Sequence, residues 1–307
     1  ARLDENIMIR DSLPDFAEPL LANPELVGSV AEKAARATTL LRNIARDYAP
    51  VVFANSLSAE DMVLTDLIWR EEINIAIFSL DTGRLAVETY ELIHQTEKHY
   101  GRKLDIFFPR HEAVEAYAGE HGSHGFYDSV EARKACCHAR KVEPLQRALA
   151  GKGAWVTGLR AEQSTTRNKL KVISQDTANN LVKASPLADW SEAEVWSYLR
   201  ANKVPYNRLH DQNYPSIGCA PCTRAIQPGE DVRAGRWWWE SADTKECGLH
   251  RTPDGTFVRT SVEAKFGKAE LKAPSGACRS QIEKSKERGL HLVDGRQQLI
   301  AKEGVEV

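Results

Sequence analysis

The chain lacks any apolar run near the roughly 20 residues that a membrane-spanning helix needs, so no membrane role is expected. It also lacks net charge: 41 Lys and Arg stand against 43 Asp and Glu, a formal −2 over 307 residues. Without a field of one sign, nucleic acid is not an expected partner, and affinity for anions has to come from local basic clusters. Ala1 to Asp15 is mixed and charged, with no basic segment followed by an apolar core. No signal peptide is therefore expected there, and a cytoplasmic address is. Cysteine is scarce, six in all. In a reducing compartment, clustered thiols are expected to bind metal or react rather than form three bridges. What remains is an ordinary globular composition, 42% hydrophobic and 27% charged, long enough for one large α/β domain or two smaller ones.

Four of the six cysteines fall in two pairs, the adjacent Cys136-Cys137 and the Cys219-x-x-Cys222 of Ser216-Ile217-Gly218-Cys219-Ala220-Pro221-Cys222-Thr223. Two intervening residues let a tight turn present both sulfurs on one side, which suits a soft metal centre or a redox pair. Arg140 and Lys141 follow the first pair and Arg224 the second. Adjacent cysteines on a helix point about 100° apart. That is awkward for one tetrahedral ion and easier for an iron–sulfur cube with separate corners. Spacing alone leaves zinc, a cluster and unrelated thiols open. Cys247 is flanked by Lys245, His250 and Arg251, which favour the thiolate, while Glu246 opposes it. Its short, polar, glycine-containing surroundings suit a nucleophile on a mobile arm.

The rest of the chain is punctuated by strand–turn–helix units. Residues 1–23, broken by Pro14 and Pro19, read as a loosely attached arm, and Pro24 to Tyr48 as an amphipathic helix. Val51 to Ala54 reads as a buried strand running into Asn55-Ser56-Leu57-Ser58 and a helix from Ala59. A turn of that kind offers free N–H groups and a helix dipole to an anion, although Ser58 could equally serve only as a cap. Strands at 75–80 and 104–108 follow, the first ending in the polar turn Asp81-Thr82-Gly83. A helix is expected over 129–150, with Lys141 on the face of Cys137. The strand at 154–159 ends near Arg160 and Arg167, a pair suited to sulfate or phosphate unless Glu162 and Asp176 take them up. Strand-like segments at 171–174 and 180–184 precede a helix to Ala201 opened by a capping box, Ser191 with Glu194. The repeated units predict an α/β fold, a parallel sheet with helices on both faces and ligand at the carboxyl ends of its strands. Trp237, Trp238 and Trp239 beside Arg233 and Arg236 could cover a nucleotide or the sheet edge. His121 and His124 read as members of a solvated loop.

Five strings in one order resemble the assimilatory sulfonucleotide reductases, specifically the iron–sulfur adenylyl-sulfate (APS) reductases. They are Leu80-Asp81-Thr82-Gly83; Cys136-Cys137 with Arg140-Lys141-Val142-Glu143-Pro144-Leu145; Thr157-Gly158-Leu159-Arg160 with Gln163-Ser164; the Cys219–Cys222 turn; and Glu246-Cys247-Gly248-Leu249-His250. The resemblance covers roughly residues 26–250. It implies a PP-loop (HUP-like) adenine-nucleotide domain over 24–228, with one 4Fe–4S cluster on Cys136, Cys137, Cys219 and Cys222. It further implies an arginine/tryptophan segment and catalytic arm over 229–251, APS as substrate, and reduced thioredoxin as electron donor. Cys247 is then the nucleophile, forming an S-sulfonate. Ser56, Ser58, Leu80, Thr82, Gly83, Lys141, Gly158, Arg160, Arg233, Arg236 and His250 are the implied substrate-binding residues, with Lys141, Arg233 and Arg236 neutralising the phosphosulfate. The related PAPS reductases keep the last string and typically lack the cluster cysteines. Homo-oligomerisation is left open.

Two departures stand out. Ser58 occupies the place where the family usually has glycine, and would be strained if that position required positive φ. The chain also continues beyond the last string, from Thr252 to Val307, in a polar extension containing Cys278 that has no assigned role.

Overall fold

Val51–Ala54 (β1) alternates strictly, Val51 and Phe53 packing into one buried layer and Val52 into another. That alternation places β1 in the middle of a sheet covered on both faces. The structure, a computed structural model, describes residues 24–163, 170–240, 292–293 and 296–297. The chain divides into two compact units, Ala1–Val258 and Arg259–Val307. In the second, the described backbone is a short antiparallel pairing of Leu292–Val293 with Arg296–Gln297.

In the first unit, Ala76–Leu80 (β2), Asp105–Phe107 (β3), Ala154–Val156 (β4), Ile173–Asp176 (β5) and Leu181–Ala184 (β6) join β1 in the order β3-β2-β1-β4-β6-β5. Every pairing is parallel except β5 with β6. Only four residues separate Asp176 of β5 from β6, enough for a hairpin and too few for a crossover, so this edge is antiparallel. After β1 the chain builds outward through β2 and β3, then returns to place β4 on the other flank of β1. The crevice at the carboxyl ends of β1 and β4 is the switch point where such sheets bind ligand.

Helices Pro24–Asp47 (α1), Ala59–Arg70 (α2), Val87–Tyr100 (α3) and Glu192–Ala201 (α7) supply the larger core with residues such as Leu41, Met62, Leu92 and Val195, against Phe53, Ile77 and Val156 of the sheet. Helix α2 is buried from Ala59 to Trp69. Its Asp66 is tolerated there because the Tyr100 and Tyr198 hydroxyls donate to it at 2.9 and 2.6 Å. The expected capping box is formed: Ser191 Oγ accepts from Glu194 N at 3.2 Å and Glu194 Oε2 accepts from Ser191 N at 2.7 Å. Lys33 ties α1 to that cap through Glu194 at 2.7 Å. On the opposite face, Leu145, Ala148 and Leu149 pack over Val52, Phe78 and Trp155.

The helix expected over 129–150 differs in one important respect. It runs as α-helix over Val130–Cys137 (α5), widens into a π-turn over His138–Val142, and resumes over Glu143–Leu149 (α6). The cause is Pro144. It has no N–H for the carbonyl of Arg140, and its ring crowds that carbonyl, so the ladder slips and Glu143 N bonds His138 O, five residues back. The π-turn follows directly on the cysteine pair and carries Arg140 and Lys141. Between α3 and α5, β3 leads into His111–His121 (α4). Among the described residues no helix is long and apolar enough to cross a membrane.

Candidate functional site

At the carboxyl ends of β1, β2 and β4 lies a cavity of about 450 Å³. Its floor is the turn after β1. Asn55 Oδ1 accepts from Leu57 N at 2.6 Å, and the Asn55 amide donates to Thr65 Oγ1 at 2.8 Å. Asp61 Oδ2 takes both the backbone N–H and the hydroxyl of Ser56, each at 2.6 Å. Burial pushes the Asp61 carboxyl up to about 6 against the pull of those Ser56 bonds. The concern over Ser58 resolves here: Ser58 sits at φ −76, extended, and the left-handed residue is Leu57, at φ 64. Leu57 is 1% exposed and held by Asn55, so packing carries a backbone conformation that leucine disfavours. Ser58 precedes α2 without capping it through its side chain, and its Oγ lies 3.3 Å from that of Ser56.

Across the crevice, Gly158 follows β4. A Cβ on it would lie 2.1 Å from Asp61 Oδ1, so glycine is what lets the two strand ends close on each other. Arg160 also lines the cavity, but its guanidinium is engaged by Glu60 at 2.9 Å and Glu162 at 2.7 Å. The Glu162 pairing expected from sequence is present. Asp176 instead accepts from Trp155 Nε1 at 3.1 Å.

Nine of the ten described residues implied as substrate contacts line this one cavity: Ser56, Ser58, Leu80, Thr82, Lys141, Gly158, Arg160, Arg233 and Arg236. The tenth, Gly83, stands beside it at φ 68, with a Cβ position 3.4 Å from Arg140. Cys247 and His250 lie outside the described residues, as do Arg167 and Cys278. Sequence reasoning passed over Trp196 and His210, which also form the wall. Burial pushes the His210 imidazole down to about 4, with Glu60 opposing, and the ring meets Trp196 edge-on at 5.2 Å. A lone histidine 19 residues after a capping box carries no local signal that could have marked it.

The two cysteine pairs meet beside this cavity. Cys222 packs against the apolar cluster of Tyr117, Phe126 and Cys136. Burial, with Cys219 adding to it, raises the Cys136 and Cys222 thiols above their ordinary value, and Arg133 hydrogen-bonds Cys137. All four are free thiols. The Cys-x-x-Cys is the tight turn its spacing predicts, with Cys222 N on Cys219 O at 2.9 Å and Thr223 Oγ1 donating to the same carbonyl at 3.0 Å. It is anchored to the turn after β2: Thr82 Oγ1 lies 3.2 Å from Cys219 Sγ, and Ala220 N bonds Arg84 O at 2.8 Å. Burial pushes the Cys222 thiol up to about 12, Cys219 adding to the effect while Lys141 and Arg236 oppose it.

None of the three tryptophans is among the residues lining the cavity. Trp237, 1% exposed, is sandwiched by Arg133 at 4.5 Å and Arg236 at 4.8 Å from its ring centroid. Trp238 and Trp239 pack on Tyr127 next to the cysteines. Arg236 lies against Gly218, whose Cβ would come within 2.4 Å of it, and reaches Ile217 O at 3.2 Å. Arg133 is paired in bidentate fashion with Glu240 at 2.6 and 2.9 Å.

Among the described residues no group of three or more His, Cys, Asp or Glu is arranged to hold a metal ion. The gathering of four thiols is thus not drawn tight around a single atom. Among the described residues, three buried donors beside it meet no hydrogen-bond partner: Tyr117 Oη, Arg140 Nε and Trp237 Nε1. Orphaned donors are costly, and three of them around convergent thiols fit an anionic, sulfur-rich group that accepts from several sides.

Comparison with known proteins agrees with this architecture. An adenosine 5'-phosphosulfate reductase of Allochromatium vinosum is 61% identical over 217 residues, 71% of this chain and 85% of that protein. One from Burkholderia cepacia is 57% identical over 244 residues, 80% and 96% of the two chains. The crystal structure of a phosphoadenylyl-sulfate reductase from Candida auris, a phosphate complex, superposes with a TM-score of 0.54 at 27% identity, covering 62% of this chain and 90% of that one. A family model described as the phosphoadenosine phosphosulfate reductase domain matches residues 50–225, and with these relatives it shows that the chain belongs to the sulfonucleotide reductase family.

Proposed function

We propose that this chain reduces adenosine 5'-phosphosulfate to sulfite and AMP in sulfate assimilation for cysteine synthesis. The observation that carries the reading is one cavity at the switch point, lined by the Ser56–Ser58 turn and by Lys141, Arg233 and Arg236, in a chain 61% identical to a named APS reductase. The first turn of α2 offers its backbone N–H groups to the α-phosphate, and the three cations neutralise the phosphosulfate. Leu80 at the end of β2 and Gly158 just after β4 flank that turn on either side.

The reaction has two steps. The Cys247 thiolate attacks the sulfonate sulfur; an S–S bond forms, the S–O bond to the phosphate breaks, and AMP leaves with the electron pair. A thiolate of reduced thioredoxin then attacks Cys247 Sγ and expels sulfite. Its second thiol resolves the mixed disulfide, leaving oxidised thioredoxin and free Cys247. Cys247 has to approach the substrate and later meet thioredoxin, which suits a catalytic arm. Cys136, Cys137, Cys219 and Cys222 would hold a 4Fe–4S cluster. Bound there, the cluster organises charge around the substrate, and the electrons come from thioredoxin. A cytoplasmic location accords with the need for a reduced thiol.

Intact mass of anaerobic, reduced protein mixed with APS and no thioredoxin tests this reading. One added sulfonate, absent in Cys247→Ser and released by thioredoxin, is expected. An adduct formed preferentially from 3'-phosphorylated APS would overturn the substrate, and no adduct from either nucleotide would overturn the chemistry.

A further inference from the structure

Of the three orphaned donors beside the thiols, Tyr117 is the one whose polar atom can be removed without changing shape. It lies on α4, away from every string that marks the family, and is 6% exposed. Its ring rests on His121, with centroids 5.1 Å apart, and packs in the same apolar cluster as Phe126 and Cys136. Gly125 keeps this corner open. A Cβ there would meet His121 Cβ at 2.7 Å and sit 3.5 Å from the Tyr117 hydroxyl.

The hydroxyl is buried and meets no partner among the described residues. Cys136, Cys137, Arg84 and Arg140 act on it electrostatically. Neither arginine can accept a hydrogen bond, so of these groups the sulfurs are the acceptors. A phenol, with an ordinary pKa of about 10, is protonated at neutral pH, so the group is a donor. The neighbouring Tyr127 behaves differently. Its hydroxyl donates to Pro221 O at 2.8 Å and needs nothing from outside the chain.

We propose that the Tyr117 hydroxyl donates a hydrogen bond to sulfur of the centre held by Cys136, Cys137, Cys219 and Cys222, and thereby positions and tunes that centre. Donation to a thiolate or bridging sulfide withdraws electron density from the iron, so the hydroxyl sets the iron–sulfur bond strengths and the reduction potential. The inference rests on the 4Fe–4S reading above.

The experiment uses full-length, anaerobically purified wild type, Tyr117→Phe and Tyr127→Phe. Iron and acid-labile sulfide are assayed first, then resonance Raman spectra are recorded in H2O and D2O. Equal iron and sulfide in all three proteins is expected. The iron–sulfur stretching bands should move in Tyr117→Phe, with loss of part of the wild-type deuterium shift, while Tyr127→Phe keeps the wild-type spectrum. Identical spectra and deuterium shifts in wild type and Tyr117→Phe would overturn the proposal while leaving the cluster intact. Equal changes in both variants would also overturn it, by tracing the effect to general loosening. Zinc without sulfide in the wild type would overturn the cluster reading and this proposal together.

Discussion

The two ends of the cavity are built on opposite principles. The turn after β1 is self-sufficient: Asp61 takes the N–H and hydroxyl of Ser56, and Asn55 Oδ1 holds the N–H of the left-handed Leu57. The cysteine end is assembled from α5 and a turn some 80 residues later, and it keeps donors that no described residue accepts. A phosphate turn has to be rigid before its ligand arrives, since preorganised N–H groups bind an anion without rearranging. A metal centre supplies bonds of its own, so its surroundings can remain unsatisfied until it is present.

Breaking the cysteine end should have the largest effect on stability. Arg133 and Glu240, with side chains 1% and 4% exposed, form a buried pair between α5 and the start of the segment leading to Cys247. Arg133→Met should cost about 3–5 kcal/mol in urea unfolding, because it leaves Glu240 charged and buried. Adding Glu240→Gln should recover part of that loss. A cost near zero would mean the pair is not sequestered from water.

At the turn end, Gly158→Ala pushes a methyl into Asp61. A loss of about 1–3 kcal/mol is expected, with weaker AMP binding by calorimetry. The double variant with Asp61→Ala should be less than additive, and additivity would show that the two residues do not touch.

Asp61 sharpens the comparison through pH. Its folded-state value, about 6, lies above the ordinary 3.8, so its contribution to stability is complete below 3.8 and is lost as pH rises through about 6. Asp61→Asn imitates the protonated form. Its melting temperature relative to wild type should therefore climb between pH 5 and pH 7.5, by roughly 2–4 °C for each kcal/mol. A flat difference would place the carboxylate in contact with water.

The smallest effect belongs to Ser58→Gly. With φ already in the extended range and no side-chain cap to lose, the change should cost a few tenths of a kcal/mol and leave AMP affinity within about twofold. A large gain in affinity would show that Ser58, and not Leu57, carries the strain.

Much of the frame was legible in the chain. β1 begins and ends where its apolar run does, the Ser191–Glu194 box opens α7, and Cys219-x-x-Cys222 forms a tight turn, because each is decided within a few residues. Pro144 carried the signal for the π-turn, although periodicity pointed to an unbroken helix. The antiparallel edge strand was marked by the short β5–β6 connection rather than by residue type.

Other features had no local signature. Arg160 looked like an anion ligand, and its engagement by Glu60 depends on α2 lying across the crevice from β4. His210 reached the cavity wall, and Trp237 its place between two arginines, through long-range packing alone.

By itself the sequence determined the strand–turn–helix units, the cysteine inventory and the family, because propensity, capping and spacing act over a few covalent bonds. Only the tertiary structure decided which residue of the phosphate turn bears the left-handed backbone, which carboxylates engage Arg160, and which donors wait beside the thiols. Those outcomes depend on atoms brought together from distant parts of the chain, where burial leaves a polar group either a partner or none.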